Sequence, residues 1–255
     1  LVVNQLDPPV ENSLTPSNKN PVNEYITAYF DNVNVNGVPY DDFETYSGMW
    51  DLDLSRWNQP WNDNASIENH RLKLTQSDVV GRGSVGLNFA DPTSVNSIGA
   101  DITIDSVSSD GPPVARIVGN FFNNGRGDVT ASIKVQQNRV YYSVSETCYE
   151  APTISWNSPL AEEDLMSINP GETARVSVSW DKGTKTFSFS AENLTVPAGP
   201  FTDDYVVTGT VMPPLDFGYK QLQTRINLGT QNSTPNFTWD VVPGANRHRV
   251  QIYRS

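Results

Sequence analysis

One cysteine and two histidines are all that this 255-residue chain offers of the soft metal ligands. A single Cys148 excludes an internal disulfide, and two separated histidines with one cysteine leave no zinc constellation. Basic side chains are scarce as well: 17 Lys and Arg against 29 Asp and Glu give 17 − 29 = −12. That balance disfavours nucleic-acid phosphate and anionic membrane as partners. No apolar run approaches the roughly 20 residues that a membrane helix needs. Charged residues of either sign reach only 18%, so the surface must be covered by uncharged Asn, Ser, Thr, Gln and Gly. A lysine- and glutamate-rich helical protein does not look like this.

What the chain does have is punctuation and aromatic bulk. Gly 17 and Pro 18 make about one residue in seven a chain breaker, while ten Tyr, ten Phe and six Trp supply a core. Strand-like runs follow one another: Tyr25 to Val35, Ser66 to Thr75, Val80 to Phe89, Ser97 to Val107, Val114 to Phe122, Val129 to Gln136, Arg139 to Val144, Ala174 to Trp180, Thr186 to Ser190, Tyr205 to Val211 and Gln221 to Leu228. Turns such as Asn36-Gly37, Asn124-Gly125 and Asp181-Lys182-Gly183 separate several of them. Only Ser158 to Ser167 reads as a helical turn or two. Strands at this spacing predict an all-β, antiparallel two-sheet sandwich. Residues 1 to 23 are rich in Pro, Asn and Ser and lack periodicity, which predicts a linker or extended arm. The chain therefore divides into a linker and leading strand over 1–38, a sandwich over 39–230 and a C-terminal segment over 231–255.

Alternation assigns faces to the strands. Ile102 and Ile104 point one way, and Asp101, Thr103 and Asp105 the other. Ala115, Ile117, Gly119 and Phe121 oppose Arg116, Val118, Asn120 and Phe122. Ile133 and Val135 oppose Ser132, Lys134 and Gln136, while Leu222, Ile226 and Leu228 oppose Gln223, Arg225 and Asn227. These strands are expected to share one polar face with embedded aromatics. That face is either a groove for a polar, extended ligand or an ordinary solvated sheet surface.

Asp41-Asp42-Phe43-Glu44, continuing to Ser55-Arg56-Trp57 and to Ile67 through Leu74 with its Leu72-Lys73-Leu74 pair, resembles the opening of concanavalin A-like jelly-roll domains of the laminin-G-like and glucanase type. The resemblance implies two curved sheets in a jelly roll. Its members include lectin-like modules, polysaccharide hydrolases and lyases, and adhesion modules, so fold alone does not decide function. Phe237-Thr238-Trp239 through Pro243-Gly244-Ala245 and Arg249 to Tyr253 is similar to the first strands of a fibronectin type III-like domain. Such a domain needs about 100 residues, so the segment is expected to open a further module or to dock on the sandwich.

The hydrolase branch of that resemblance implies an alternating strand with carboxylates on one face. Asp101 to Asp105 has the alternation, but Asp replaces the outer Glu residues and Thr103 the central acid. Positions i and i+4 of a strand lie about 13 Å apart, whereas paired glycosidase carboxylates lie about 5 to 9.5 Å apart. If the chain is an enzyme, Asp101 and Asp105 are its catalytic candidates. Tyr141, Tyr142, Arg116, Arg225 and His70 are the residue types a lyase requires, without a nameable lyase motif. Cys148 lies between Glu146 and Glu150, neighbours that raise a thiol pKa rather than activate it. Gly81, Gly83 and Gly86 run into a strand and not a helix, which is no phosphate loop.

Trp50, Trp57, Trp61, Trp156 and Tyr46 are candidate sugar-stacking platforms; Trp57 reads as core and Trp61, in a polar turn-rich stretch, as the best exposed. Asp41 and Asp42 are candidate calcium ligands, on the strength of the resemblance and of calcium's preference for loop oxygens. Arg126-Gly127-Asp128 reads as a hairpin turn and not an integrin ligand. The expectation is a noncatalytic carbohydrate-binding or adhesion module of a larger, exported bacterial protein. Its glycan would lie against Asp105, Arg116, Asn120, Tyr141, Arg225 and Trp61. A polysaccharide hydrolase or lyase, and a structural spacer, are the alternatives. Leu1 is preceded by no leader, so any export signal is expected to lie outside the chain.

Overall fold

The computed structural model describes residues 24–58, 64–77, 84–108, 113–150, 154–214 and 219–226, apart from the side chains of 148–150 and 154–157. The Pro-rich arm, Trp61, most of the glycine-rich turn, the fibronectin-like segment and the side chains of Cys148 and Trp156 lie outside the described residues.

Two antiparallel sheets pack face to face, an all-β sandwich compatible with a jelly roll. One sheet holds β1 (Tyr25–Val35), β2 (Val38–Asp41), β3 (Ala65–Glu68), β4 (Arg71–Ser77), β6 (Ser97–Val107), β11 (Thr173–Asp181), β12 (Thr186–Asn193) and β13 (Ala198–Val206). Its order is β13-β12-β11-β6-β1-β4-β3, with β2 paired to β1. The other holds β5 (Ser84–Asn88), β7 (Val114–Asn123), β8 (Gly127–Val135), β9 (Arg139–Glu150), β10 (Ile154–Ser167) and β14 (Lys220–Arg225) in the order β10-β9-β8-β7-β14-β5. β1 pairs with both β4 and β6, so the leading strand sits well inside its sheet.

Strand alternation builds the core between the sheets. Ile98, Ala100, Ile102 and Ile104 of β6 face Ala115, Ile117, Ala131, Ile133 and Leu222 of the other sheet, all buried. Aromatic rings join the layers: Tyr142 stacks on Phe189 at 4.0 Å, and Phe122 on Trp180 at 4.6 Å. Truncating a fully buried ring such as Phe187 or Phe189 removes about 3–5 kcal/mol.

Four sequence expectations change on folding. Ser158 to Ser167 is not helical; it belongs to β10, whose backbone pairs with β9 from Ile154↔Glu150 to Ser167↔Arg139. Leu160 to Met166 is rich in helix formers, but the edge of β9 needs partners for its N–H and C=O groups, and that requirement wins. Ser66 to Thr75 is two strands, because Asn69 (φ 50°) and His70 (φ 57°) both adopt the left-handed region and close a hairpin. Phe122 leaves the polar face. A register shift between Asn120 and Phe122 turns its ring into the core. Finally, the last strand of the larger sheet is Ala198–Val206 rather than Tyr205 to Val211; its Asp203-Asp204 pair has low strand propensity and is held by β12.

Asp41 organises the corner where the sheets' connections meet. Its carboxylate accepts from the Trp57 indole N–H (2.6 Å), the Tyr46 hydroxyl (2.8 Å) and the Phe43 backbone N–H (2.9 Å). The bond to Phe43 closes a tight turn and accompanies a left-handed Phe43 (φ 56°), a conformation bulky residues avoid. Burial of the Phe43 ring against Trp57, with Phe89 at 4.7 Å from the same indole, holds that strain. Asp41→Ala strands three buried donors and should cost at least about 3 kcal/mol, read as a lower urea midpoint by tryptophan fluorescence; an unchanged midpoint removes Asp41 from this role.

Candidate functional site

The outer face of the six-stranded sheet carries the densest set of functional side chains. Direct register aligns one residue from every strand in a single row: Gly86 of β5, Gln223 of β14, Arg116 of β7, Lys134 of β8, Tyr141 of β9 and Asp164 of β10. At about 4.8 Å per strand, Arg116 and Tyr141 stand roughly 10 Å apart with Lys134 between them. Arg225, two residues from Gln223, pairs with Val114 and lies exposed on the same face. Val118, Asn120 and Ser132 form a buried floor beside the row.

Contacts orient these groups. Arg116 Nε donates to Gln223 Oε1. Arg139 lies over the Tyr141 ring at 3.9 Å, and Lys134 Nζ stands 4.8 Å from the same ring. Arg139 is anchored by Asp164 at 2.8 Å and Glu162 at 3.7 Å; Glu162 also reaches Lys134 at 3.8 Å. Asn120 accepts from Thr130 and, with Asn123, donates to Asp128. An open cavity of about 550 Å³ bordered by Pro113, Gln136, Asn138, Asn169 and Pro170 adjoins the face, and Gln136 accepts from Arg139 Nε.

The electrostatics are unusual for an acidic chain. Burial pushes the Lys134 amine down to about 8, helped by Arg116, Arg225 and Arg139 and opposed by Glu162. The Arg116 guanidinium is pushed down to about 10, first by burial and then by Arg225. It remains charged at neutral pH, so the repulsion stays in the folded protein. Burial pushes the Tyr141 phenol up.

Of the residues expected at a ligand site, Arg116, Asn120, Tyr141 and Arg225 meet on this face. Asp105 does not join them: β6 lies in the other sheet, and Asp105 is exposed on that sheet's outer surface. Alternation separates inside from outside but does not say which sheet a strand enters. Trp61 lies outside the described residues, whereas Trp50 is 89% exposed on a short 3-10 turn. Lys134 and Gln223 complete the row, with Arg139 beside it over Tyr141, and only long-range register brings them there. Tyr142 faces inward and donates to Asp203 at 2.8 Å. His70 sits in the β3–β4 turn, on the other sheet.

The remaining candidates are held in local structure. Asp101 is gripped by Arg175 through two bonds of 2.8 and 2.9 Å and by Asn32 at 2.9 Å, which leaves its carboxylate no freedom as an acid or base. Calcium at Asp41 would have to displace Tyr46 and Trp57, while exposed Asp42 accepts from the Glu44 N–H at 3.2 Å. No cluster of three or more metal-ligating side chains occurs among the described residues. Asp128 is fully buried, so Arg126-Gly127-Asp128 does not present an acid to a partner.

No family model matches the chain, and no curated protein matches it either. The class is therefore stated by architecture: an antiparallel β-sandwich with a cation-rich polar face on its smaller sheet.

Lys220, buried with Nζ donating to the carbonyls of Pro92 and Asn120, is likewise pushed down to about 8 by burial. Folded values near 8 against 10.5 when free mean that the unfolded chain holds more protons between those limits, so stability rises with pH there. The gain is about 3 kcal/mol per lysine at most. Tyr40, Tyr46, Tyr141 and Tyr142 are shifted up from 10.0, so stability falls once free tyrosine ionises. The urea midpoint should climb from pH 8 towards 10 and decline above; Lys134→Met should flatten the climb, and a midpoint already falling at pH 9 contradicts the assignment.

Proposed function

We propose that the chain is a noncatalytic carbohydrate-binding module of an exported protein, with its glycan on the outer face of the six-stranded sheet. The observation that carries this reading is the unbroken cross-strand row from Gln223 to Tyr141, which sets amide, guanidinium, amine and phenol groups at regular intervals. A ligand that crosses the strands reaches half-buried Arg116 and Lys134 at the centre of the row and exposed Arg225 beside them, while buried Gln223 and Tyr141 support those groups from either side. The resemblance of the Asp41 to Trp57 stretch to concanavalin A-like domains supports the same use of the fold. An adhesion role follows if the glycan belongs to another cell.

Catalysis has less support. The described face has no pair of unengaged carboxylates, since Glu162 and Asp164 both bind Arg139. A lyase finds one favourable feature, Tyr141 beside Arg116 and Lys134, but a phenol pushed upward by burial is a poor base at neutral pH. Glycan-array binding run beside assays for new reducing ends and unsaturated products separates the cases. Binding without products is expected. Products that vanish in Tyr141→Phe would replace this reading with a lyase, and an absence of both binding and products would favour a spacer.

A further inference from the structure

We propose that this face is a carboxylate seat and that the ligand is an acidic polysaccharide of the polyuronate kind, its carboxylates received by Arg116, Lys134 and Arg225. The proposal rests on the glycan-binding reading and narrows the ligand class.

The first support is an electrostatic cost with no use inside the fold. Arg116 and Lys134 are direct cross-strand neighbours, and like charges in that relation destabilise a sheet. Arg225 adds a third cation beside them. Five other cations, Arg56, Lys73, Arg126, Arg139 and Arg175, each stand within 4.0 Å of a carboxylate, and buried Lys220 is satisfied by two backbone carbonyls. Arg116 and Arg225 have no such partner among the described residues, although acids outnumber bases 29 to 17 over the whole chain. A partly buried guanidinium without an anion is costly, and an incoming carboxylate relieves that cost.

Geometry adds the choice of anion. Gln223 engages Arg116 through Nε, which fixes the guanidinium plane and leaves its terminal nitrogens as a fork suited to a planar carboxylate. Around the cations, half-buried Gln221 is a neutral partner within reach of a sugar hydroxyl, while Gln136 and the Tyr141 phenol lie buried beside them. A single-stranded nucleic acid would want successive aromatic platforms. The row offers one aromatic, Tyr141, already covered by Arg139. On the β10 side, Glu162 and Asp164 neutralise Arg139 and bound the cationic patch.

Protonation of Lys134 tunes the seat. The groups that face its amine are Arg116 on β7, Arg225 on β14, Arg139 and Tyr141 on β9, and Glu162 on β10. A bound carboxylate favours the charged amine, so binding takes up a proton above pH 8 and weakens as pH rises.

Titration calorimetry on the 255-residue chain tests the proposal with oligogalacturonate, the neutral galactose oligomer of equal length and single-stranded DNA of equal charge. Oligogalacturonate alone should bind, about 10-fold more weakly at pH 9.5 than at pH 7. Arg116→Gln and Lys134→Met should each weaken it by about 10- to 100-fold, and Lys134→Met should abolish the pH dependence. Because Lys134→Met removes a repulsion, its melting temperature should hold or rise, which separates lost binding from lost folding. Equal binding of the neutral oligomer overturns the carboxylate seat and leaves the glycan reading standing. Equal binding of DNA overturns it in favour of general polyanion attraction, and no saccharide binding at all overturns both readings. Unchanged affinity in Lys134→Met also sinks it.

Discussion

Each strand of a two-sheet sandwich must turn its apolar side chains toward the opposite sheet, and almost everything else about this molecule follows from that requirement. Once Ala115, Ile117, Ile133 and Tyr142 face inward, parity sends Arg116, Lys134 and Tyr141 outward together. Antiparallel register then sets them side by side. The exception illustrates the rule: an irregularity after Asn120 lets both Phe121 and Phe122 reach buried positions, where Phe122 meets Trp180. The outer row is thus a by-product of core formation whose chemical content is free to vary.

Much of the fold could be read from alternation. Ser97 to Val107 folds as a strand with those ends, and β7, β8, β11 and β14 lie within a few residues of their expected places. Segments whose structure is imposed by a neighbour were not readable. β10 takes its conformation from the edge of β9, and β13 takes its own from β12. Part of the candidate site suffered the same way. Arg116, Asn120, Tyr141 and Arg225 have the right parity in the right sheet. Asp105 has the right parity in the wrong one, and sheet membership is a property of pairing between residues far apart in sequence. Lys134 and Gln223 looked like ordinary outward residues until register put them beside Arg116.

The acids tell a complementary story. Asp41, Asp101 and Asp128 are buried, and each is surrounded by donors: indole and hydroxyl at the first, guanidinium at the second, carboxamides at the third. They act as internal fasteners for corners and strand ends. The two places where anionic side chains drew attention in the sequence, the Asp41-Asp42 pair and the Asp101 to Asp105 strand, therefore carry structure through Asp41 and Asp101. The polar face on the smaller sheet depends on basic and neutral groups instead.

β10 closes that sheet on one side with Pro159, two register irregularities and the run Glu162-Glu163-Asp164. An exposed strand edge is a template for another chain. Here a second copy approaching edge to edge would find an interrupted hydrogen-bond ladder and would bring two sets of carboxylates together. The sheet that bears the cationic row is accordingly kept from growing by strand addition along β10, so neighbouring copies can crowd on a shared surface without zipping their sandwiches into a fibre at that edge.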